Sequence, residues 1–361
     1  MAYTGVNKST SYFNVKNYSG NGSAGHALTG VGFQPDWTWI KRTDAANSHS
    51  IFDAVRGVTK NIVSNSTAAE STNANGLTAF GTDGFTVGTD GDVNNGSGGY
   101  TSWNWKAGTT SGIATNGSTT ITPTAYSFNQ TAGFSIIKYN GSGSNALIPH
   151  GLGVAPKVII IKQLNYGTEH WGVYHASIGN TKTLYLNRDV DQYGASNMWN
   201  DTSPDTVNFS VGTNDIVNNN NADYIAYCFA DKTGYCKAGR YDGIGNSDGN
   251  FIYLGFKPTY FLVKRYDADG GGWTIKDGTN SGAILSASNT PNFCNPNETD
   301  HPKANVNNVN NKASAFGMDF VSNGVKIRGD DGGINTNGAD YVYLAMGQTL
   351  VGTNNIPCNA R

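Results

Sequence analysis

Three stretches of equal length repeat one pattern: YSGNGSAGHALTGVGFQPDWTWIK (Tyr18–Lys41), YNGSGSNALIPHGLGVAPKVIIIK (Tyr139–Lys162) and YDGIGNSDGNFIYLGFKPTYFLVK (Tyr241–Lys264). Without a gap, six offsets hold the same residue in all three. They are Tyr18/Tyr139/Tyr241, Gly20/Gly141/Gly243, Gly22/Gly143/Gly245, Gly32/Gly153/Gly255, Pro35/Pro156/Pro258 and Lys41/Lys162/Lys264. A pattern of this length, met three times, means that one supersecondary unit is built three times over.

The likeness runs on beyond the lysine. A variable turn leads to HSIFDAV, HWGVYHA or GWTIKDG, then to GFTVG, NFSVG or NGVKIRG. An Asn/Gly turn follows, and each copy closes on an apolar run opened by Tyr100, Tyr224 or Tyr341. From the proline to that closing tyrosine the spacing is 65, 68 and 83 residues, so the third copy carries a longer middle insertion. The runs WTWI, VIII and FLV are continuously apolar, which is the pattern of central strands covered on both faces. A proline opens each of these strands, where its missing N–H does no harm. The closing lysine is expected to guard the strand end against edge pairing. The Gly-rich segments GNGSAG and GSGSN are expected to be hairpin turns. Helical periodicity is nearly absent, and NSTAAESTNA (Asn65–Ala74) has room for one helical turn at most.

The expected fold is all-β: three tandem antiparallel β-sandwich, jelly-roll-like domains at 1–108, 133–232 and 233–347. Residues 109–132 form an extended linker or an embracing strand, and 348–361 a tail. A propeller blade of about 40–50 residues is too short to match these units.

Composition supports turns and strands. Gly numbers 47 of 361 residues and Tyr 19, while charged residues make up only 14%, against about 25% in ordinary domains. The net charge of −2 argues against nucleic acid as a partner, since phosphate binding needs a cationic face. No apolar run is long enough to span a membrane. The N-terminus lacks a basic-then-apolar leader, so synthesis in a cytoplasm is expected. Cys228, Cys236, Cys294 and Cys358 show no CxxC spacing. Cys228 reads as a small buried hydrophobe, and a disulfide is not expected.

Few residues suggest chemistry. GTDGDVNNGSGG and RGDDGGINTNG place Asp90, Asp92, Asp330 and Asp331 where oxygens gather, which makes them weak Ca²⁺ candidates. Asx-turn chemistry explains the same residues without an ion. His170 and His175 flank WGVY, too far apart in phase to pair, and are expected at a surface or edge. The tripeptide Arg328–Asp330 closes a repeat strand and reads as structural. Asp189 and Asp191 alone do not make a glycosidase pair. No nucleophile elbow, phosphate loop or metalloprotease motif is present, so no catalytic residue and no cofactor is expected.

The stretches GVGFQPDWTWIKR, FDAVRG and YTSWNWKAG resemble repeats of structural proteins of tailed bacteriophages, the marine and cyanophage kind above all. HGLGVAPKVIIIK with DYIAYCFAD, GFKPTYFLVKR with DYVYLAM, and the ending NNIPCNAR are similar to the middle, last and closing parts of that family. The resemblance implies a virion protein, tail or fibre related, without a catalytic residue. Its partners would be other virion proteins and a host-surface glycan or protein. The alternatives are a capsid decoration or tail connector, and a carbohydrate-binding module or depolymerase. The first repeat strand is expected to begin by Tyr12, which would leave no separate anchoring segment before it. Sandwich edges need cover, so a homo-oligomer, a trimer by preference, is expected.

Overall fold

The computed structural model describes residues 4–278, 293–294 and 317–349. The first copy contributes β1 (Phe13–Ser19), β2 (His26–Thr29), β3 (Trp37–Arg42), β4 (His49–Asp53), β5 (Lys60–Val63), β6 (Ser71–Thr72), β7 (Leu77–Gly81), β8 (Gly84–Val87) and β9 (Gly99–Trp105). The second contributes β10 (Ala125–Asn129), β11 (Phe134–Asn140), β12 (Ala146–Pro149), β13 (Val158–Gln163), β14 (Gly172–His175), β15 (Lys182–Tyr185), β16 (Tyr193–Gly194), β17 (Asn208–Val211) and β18 (Asp223–Phe229). The third contributes β19 (Cys236–Asp242), β20 (Phe251–Tyr253), β21 (Lys257–Arg265), β22 (Trp273–Asp277), β23 (Phe293–Cys294), β24 (Met318–Val321), β25 (Gly324–Ile327) and β26 (Asp340–Gln348). Three single-turn α-helices, α1 (Gly91–Asn94), α2 (Ser196–Trp199) and α3 (Asp215–Asn218), and a 3₁₀ turn at Ser9–Ser11 complete the described elements. The molecule is nearly all β, in several antiparallel sheets.

Each copy builds one large and one small sheet. The large sheets run β1-β9-β3-β4-β5-β6, β10-β11-β18-β13-β14-β15-β16 and β19-β26-β21-β22-β23. The small ones run β2-β8-β7, β12-β17 and β20-β25-β24. The apolar runs occupy β3, β13 and β21, interior strands between the closing strand and the strand that follows, as their composition predicts.

Period-two alternation then sorts side chains into two kinds of core. Outward from the small sheets, Trp37 and Trp39 of β3, Val158 and Ile160 of β13, and Tyr260 and Leu262 of β21 enter one shared cluster. Facing the small sheets, Ile40, Ile159 with Ile161, and Phe261 with Val263 enter three private clusters. The three large sheets thus bury their free faces against one another. Trp37 stacks on Tyr227 of the second copy, with ring centroids 4.5 Å apart, and Trp105 meets Tyr260 of the third edge-on at 5.6 Å. Fully burying each such ring contributes roughly 1.5–3 kcal/mol before stacking is counted.

Two expectations change. GNGSAG and its counterparts are not hairpin turns: β1 pairs with β9 while β2 pairs with β8, so the chain crosses from the large to the small sheet there. The closing lysines do not guard an edge, since Lys41, Lys162 and Lys264 sit buried on interior strands. Of the two readings of 109–132, the strand applies to its end, where β10 pairs along β11. Asn65–Ala74 carries β6 and no helix, within the limit of one turn read from its sequence. Cys228 and Cys236 are buried free thiols, and burial raises both pKa values. Cys358, the side chain of Cys294, residues 350–361 of the tail and nearly all of the third copy's insertion lie outside the described residues. No helix among the described residues is long and apolar enough to cross a membrane.

Candidate functional site

The recurrent residues converge on one internal latch per copy. Tyr18 stacks on Tyr100, Tyr139 on Tyr224 and Tyr241 on Tyr341, with centroids 5.0, 5.1 and 5.0 Å apart. The register sets this, because each pair sits directly opposite on the first and closing strands. The first tyrosine of each pair donates to Val93 O (2.8 Å), Val217 O (2.6 Å) or Ile334 O (2.7 Å). The second donates to Gly91 O (2.8 Å), Asp215 O (2.6 Å) or Gly332 O (2.8 Å). It also accepts from the N–H of Asn95, Asn219 or Thr336. Burial raises the pKa of Tyr18, Tyr139 and Tyr241 well above the ordinary tyrosine value, so their hydroxyls stay protonated donors.

At the centre of each latch lies a wholly buried asparagine, Asn94, Asn218 or Asn335. Its amide donates to Gly88 O (2.6 Å), Gly212 O (2.7 Å) or Gly329 O (2.8 Å). A second donation reaches Ser23 O (2.9 Å), Ser144 O (2.6 Å) or Asn246 O (2.7 Å). Its carbonyl accepts from the N–H of Asn21, Ser142 or Ile244. The glycines make room. A Cβ on Gly20, Gly141 or Gly243 would lie 2.0, 2.1 or 2.2 Å from a backbone oxygen of the opposite turn. Gly32, Gly153 and Gly255 hold positive φ, +91°, +69° and +83°, ahead of the buried prolines Pro35, Pro156 and Pro258. Sequence reasoning saw these asparagines only as turn residues. The available signal was the apolar-Asn pair, Val93-Asn94, Val217-Asn218 and Ile334-Asn335, within an otherwise polar turn.

The three lysines tie down the next loop. Lys41 Nζ donates to Asn47 O (2.6 Å), Lys264 Nζ to Gly271 O, and Lys162 Nζ to Glu169 O (3.0 Å). Lys162 also reaches Thr67 O of the first copy at 2.9 Å. Desolvation pulls its pKa down to about 8.

Between copies, a polar joint recurs around the shared core. The strand ends Asp53, His175 and Asp277 each meet the closing strand of the next copy. Tyr227 Oη donates to Asp53 Oδ2 (2.7 Å), His175 Nε2 lies 3.1 Å from Tyr343 O, and Trp103 Nε1 donates to Asp277 Oδ2 (3.2 Å). First meets second, second meets third and third meets first, so the contacts close into a ring. Asp53 is further paired with buried Arg56. His175 is therefore an interior residue, not a surface or edge one. His175 accepts at Nδ1 from Ser177 N–H (3.2 Å), which makes Nε2 its donor. Burial lowers its pKa to about 4. His170 stays half-buried beside Asn187.

The acidic candidates fall apart into local turns. Asp90 caps α1, accepting from Asp92 N–H at 2.7 Å, and Asp331 accepts from Gly333 N–H at the equivalent turn. Asp92 accepts from Asn47 Nδ2 (2.7 Å), and Asp330 is exposed. No group of three or more His, Cys, Asp or Glu among the described residues is placed to hold a metal ion. Arg328 of the RGD triplet bridges Asp319 and Asp248. A surface depression of about 290 Å³ opens over the first tyrosine stack, lined by Asn17, Tyr18, Ser19, Thr43, Gly99 and Tyr100.

No curated protein and no solved structure matches the chain. A family described as a domain of unknown function, DUF7483, matches residues 8–349. The match spans the latches, the joints and the shared core alike, and the chain belongs to that family.

Proposed function

We propose that the chain is a non-enzymatic structural protein of a tailed-bacteriophage particle, built as three tandem, jelly-roll-like β-sandwich domains closed on one another. The observation that carries this is the ring of joints Asp53–Tyr227, His175–Tyr343 and Asp277–Trp103 around the shared core. Residues that recur in all three copies serve packing, and the buried ionisable groups face partners inside the chain. Head-to-tail contacts that close make rigid, self-limiting bodies, the kind a particle shell or appendage uses. The inner faces that three separate chains would have to cover for one another are covered here by one chain. That supports a single chain as the unit that docks on the particle, through its outer loops, to other virion proteins.

The placement is tested on purified particles. Mass spectrometry should find the chain at a fixed copy number, and electron cryomicroscopy should place it on the tail or the capsid. Absence from washed particles would remove the proposal. Light scattering on the purified protein should give the mass of one chain; a trimer would restore the reading of three chains around an axis.

A further inference from the structure

The same outward position on the small sheet differs between the copies. Strand pairing places Thr29 opposite Gly84, Pro149 opposite Asn208 and Tyr253 opposite Gly324. Two residues earlier on the same face stand Ala27, Leu147 and Phe251. In the first copy the pair Ala27/Thr29 is small. In the second the chain covers its own pair, with Thr120 and Ile121 both donating backbone N–H groups to Leu147 O. In the third the pair is aromatic and open, Phe251 at 46% and Tyr253 at 57% exposure, with buried Ile252 between them. The fold therefore does not need aromatic rings there.

Each half-exposed ring is held by a neighbour in the chain. Phe251 lies across Gly324, whose Cβ would stand 3.0 Å from the ring. Lys237 Nζ sits 5.4 Å from the centre of Tyr253 and donates to Tyr253 O at 2.8 Å. Alternate residues on a strand stand about 7 Å apart, the scale of one sugar ring. The two half-exposed rings offer roughly 200 Å², far below the ~800 Å² per side of a stable protein interface. Near them Asp248 pairs with Lys326 (2.9 Å) and Arg328 (3.1 Å), and Arg328 also with Asp319 (2.7 Å), so these side chains find their ionic partners within the chain.

We infer that Phe251 and Tyr253 form a stacking platform for a neutral glycan, the sugar C–H faces lying on the rings and the hydroxyls reaching the Asp248–Lys326 pair. This deepens the proposed particle role by giving it a host-surface ligand class, and it can fail while that role stands. The test is affinity electrophoresis of the full chain in gels containing dextran, mannan, xylan or starch. At least one should retard the protein. Phe251→Ala and Tyr253→Ala should weaken retardation tenfold or more, while Tyr253→Phe keeps it and exposed Tyr193→Ala changes nothing. Unchanged melting temperatures will show that the variants are folded. Retardation by none of these polymers, by dextran sulfate alone, or equally by both alanine variants would overturn the inference. So would a dimer that these two substitutions dissociate, which would make the face a protein contact.

Discussion

The latch inside each copy and the joint between copies solve different problems. The latch is the same three times: a tyrosine stack, a buried asparagine donating to two carbonyls, and a glycine admitting the opposite turn. The joint keeps its place but changes its chemistry, from tyrosine–carboxylate to histidine–carbonyl to indole–carboxylate. An identical internal device gives the same fold from unlike sequences. Unlike joints give each copy one preferred neighbour. A head-to-tail contact that repeated without variation would also run on from chain to chain.

The comparison is broken most severely at the shared core, which belongs to neither device. Trp37 contacts Phe134, Tyr227 and Phe229 of the second copy. Trp37→Ala should cost about 3–5 kcal/mol. Urea unfolding followed by tryptophan fluorescence and by circular dichroism should still show one coincident transition, because no large sheet keeps its cover alone. Separate transitions would mean that the copies fold as independent domains.

The latch comes next. Asn218→Ala leaves Gly212 O, Ser144 O and Ser142 N–H without their buried partner, at about 2–4 kcal/mol. Asn94→Ala and Asn335→Ala should cost the same within about 1 kcal/mol. A copy that tolerates the change would show that its latch is not equivalent.

Among the joints, Tyr227→Phe tests the strongest. It removes a hydrogen bond to the buried carboxylate of Asp53 and should cost about 1.5–3 kcal/mol, with an unchanged denaturant slope. A loss no larger than that of an exposed tyrosine would mean that Arg56 alone satisfies Asp53.

The histidine joint is sharpened by pH. Burial holds both His150 and His175 at about 4, below the usual 6.5. His150 Nδ1 accepts from Leu152 N–H (3.1 Å), the same arrangement that keeps His175 neutral. The unfolded chain takes up these protons first as pH falls. Their contribution is therefore complete above about 6.5 and is lost toward 4, roughly 1–2 kcal/mol per histidine by pH 5. Asp36 acts in the opposite sense. Desolvation lifts its pKa to about 6, so the folded chain binds its proton more tightly, and acidification from 6 toward 3.8 favours folding. Melting temperature against pH should fall below 6.5, more steeply in Asp36→Asn and less steeply in His175→Gln.

What was legible follows the same division. The latch showed itself through Tyr18, Gly20 and Gly22, since residues that must stack, approach closely or take positive φ cannot vary. The apolar runs of β3, β13 and β21 announced interior strands. The shared core and the joints were hidden, because Trp39, Ile160 and Leu262 satisfy one apolar position with different residues, and Asp53, His175 and Asp277 share only a place. Lys41, Lys162 and Lys264 were visible but misread. A strand-ending lysine suits an exposed edge, and only the tertiary arrangement shows its ammonium buried against loop carbonyls.

The smallest effect sharpens the comparison from the outside. One residue past each recurrent lysine stand Arg42, Gln163 and Arg265, and three past it Asp44, Asn165 and Asp267. The first and third copies form ion pairs, Arg42 Nε to Asp44 Oδ1 at 2.7 Å and Arg265 Nε to Asp267 Oδ1 at 2.8 Å. The second copy does without charge there: Gln163 donates to Asp215 O and Asn165 accepts from Asp223 N–H. An interaction that one copy replaces with neutral amides is not what holds the turn. Partly exposed pairs of this kind contribute about 0.2–1 kcal/mol and are screened by salt. Asp267→Asn should therefore shift the urea midpoint by no more than that, and the shift should shrink further in high salt. A salt-independent loss would place this pair with the latch rather than with the solvent-facing rim.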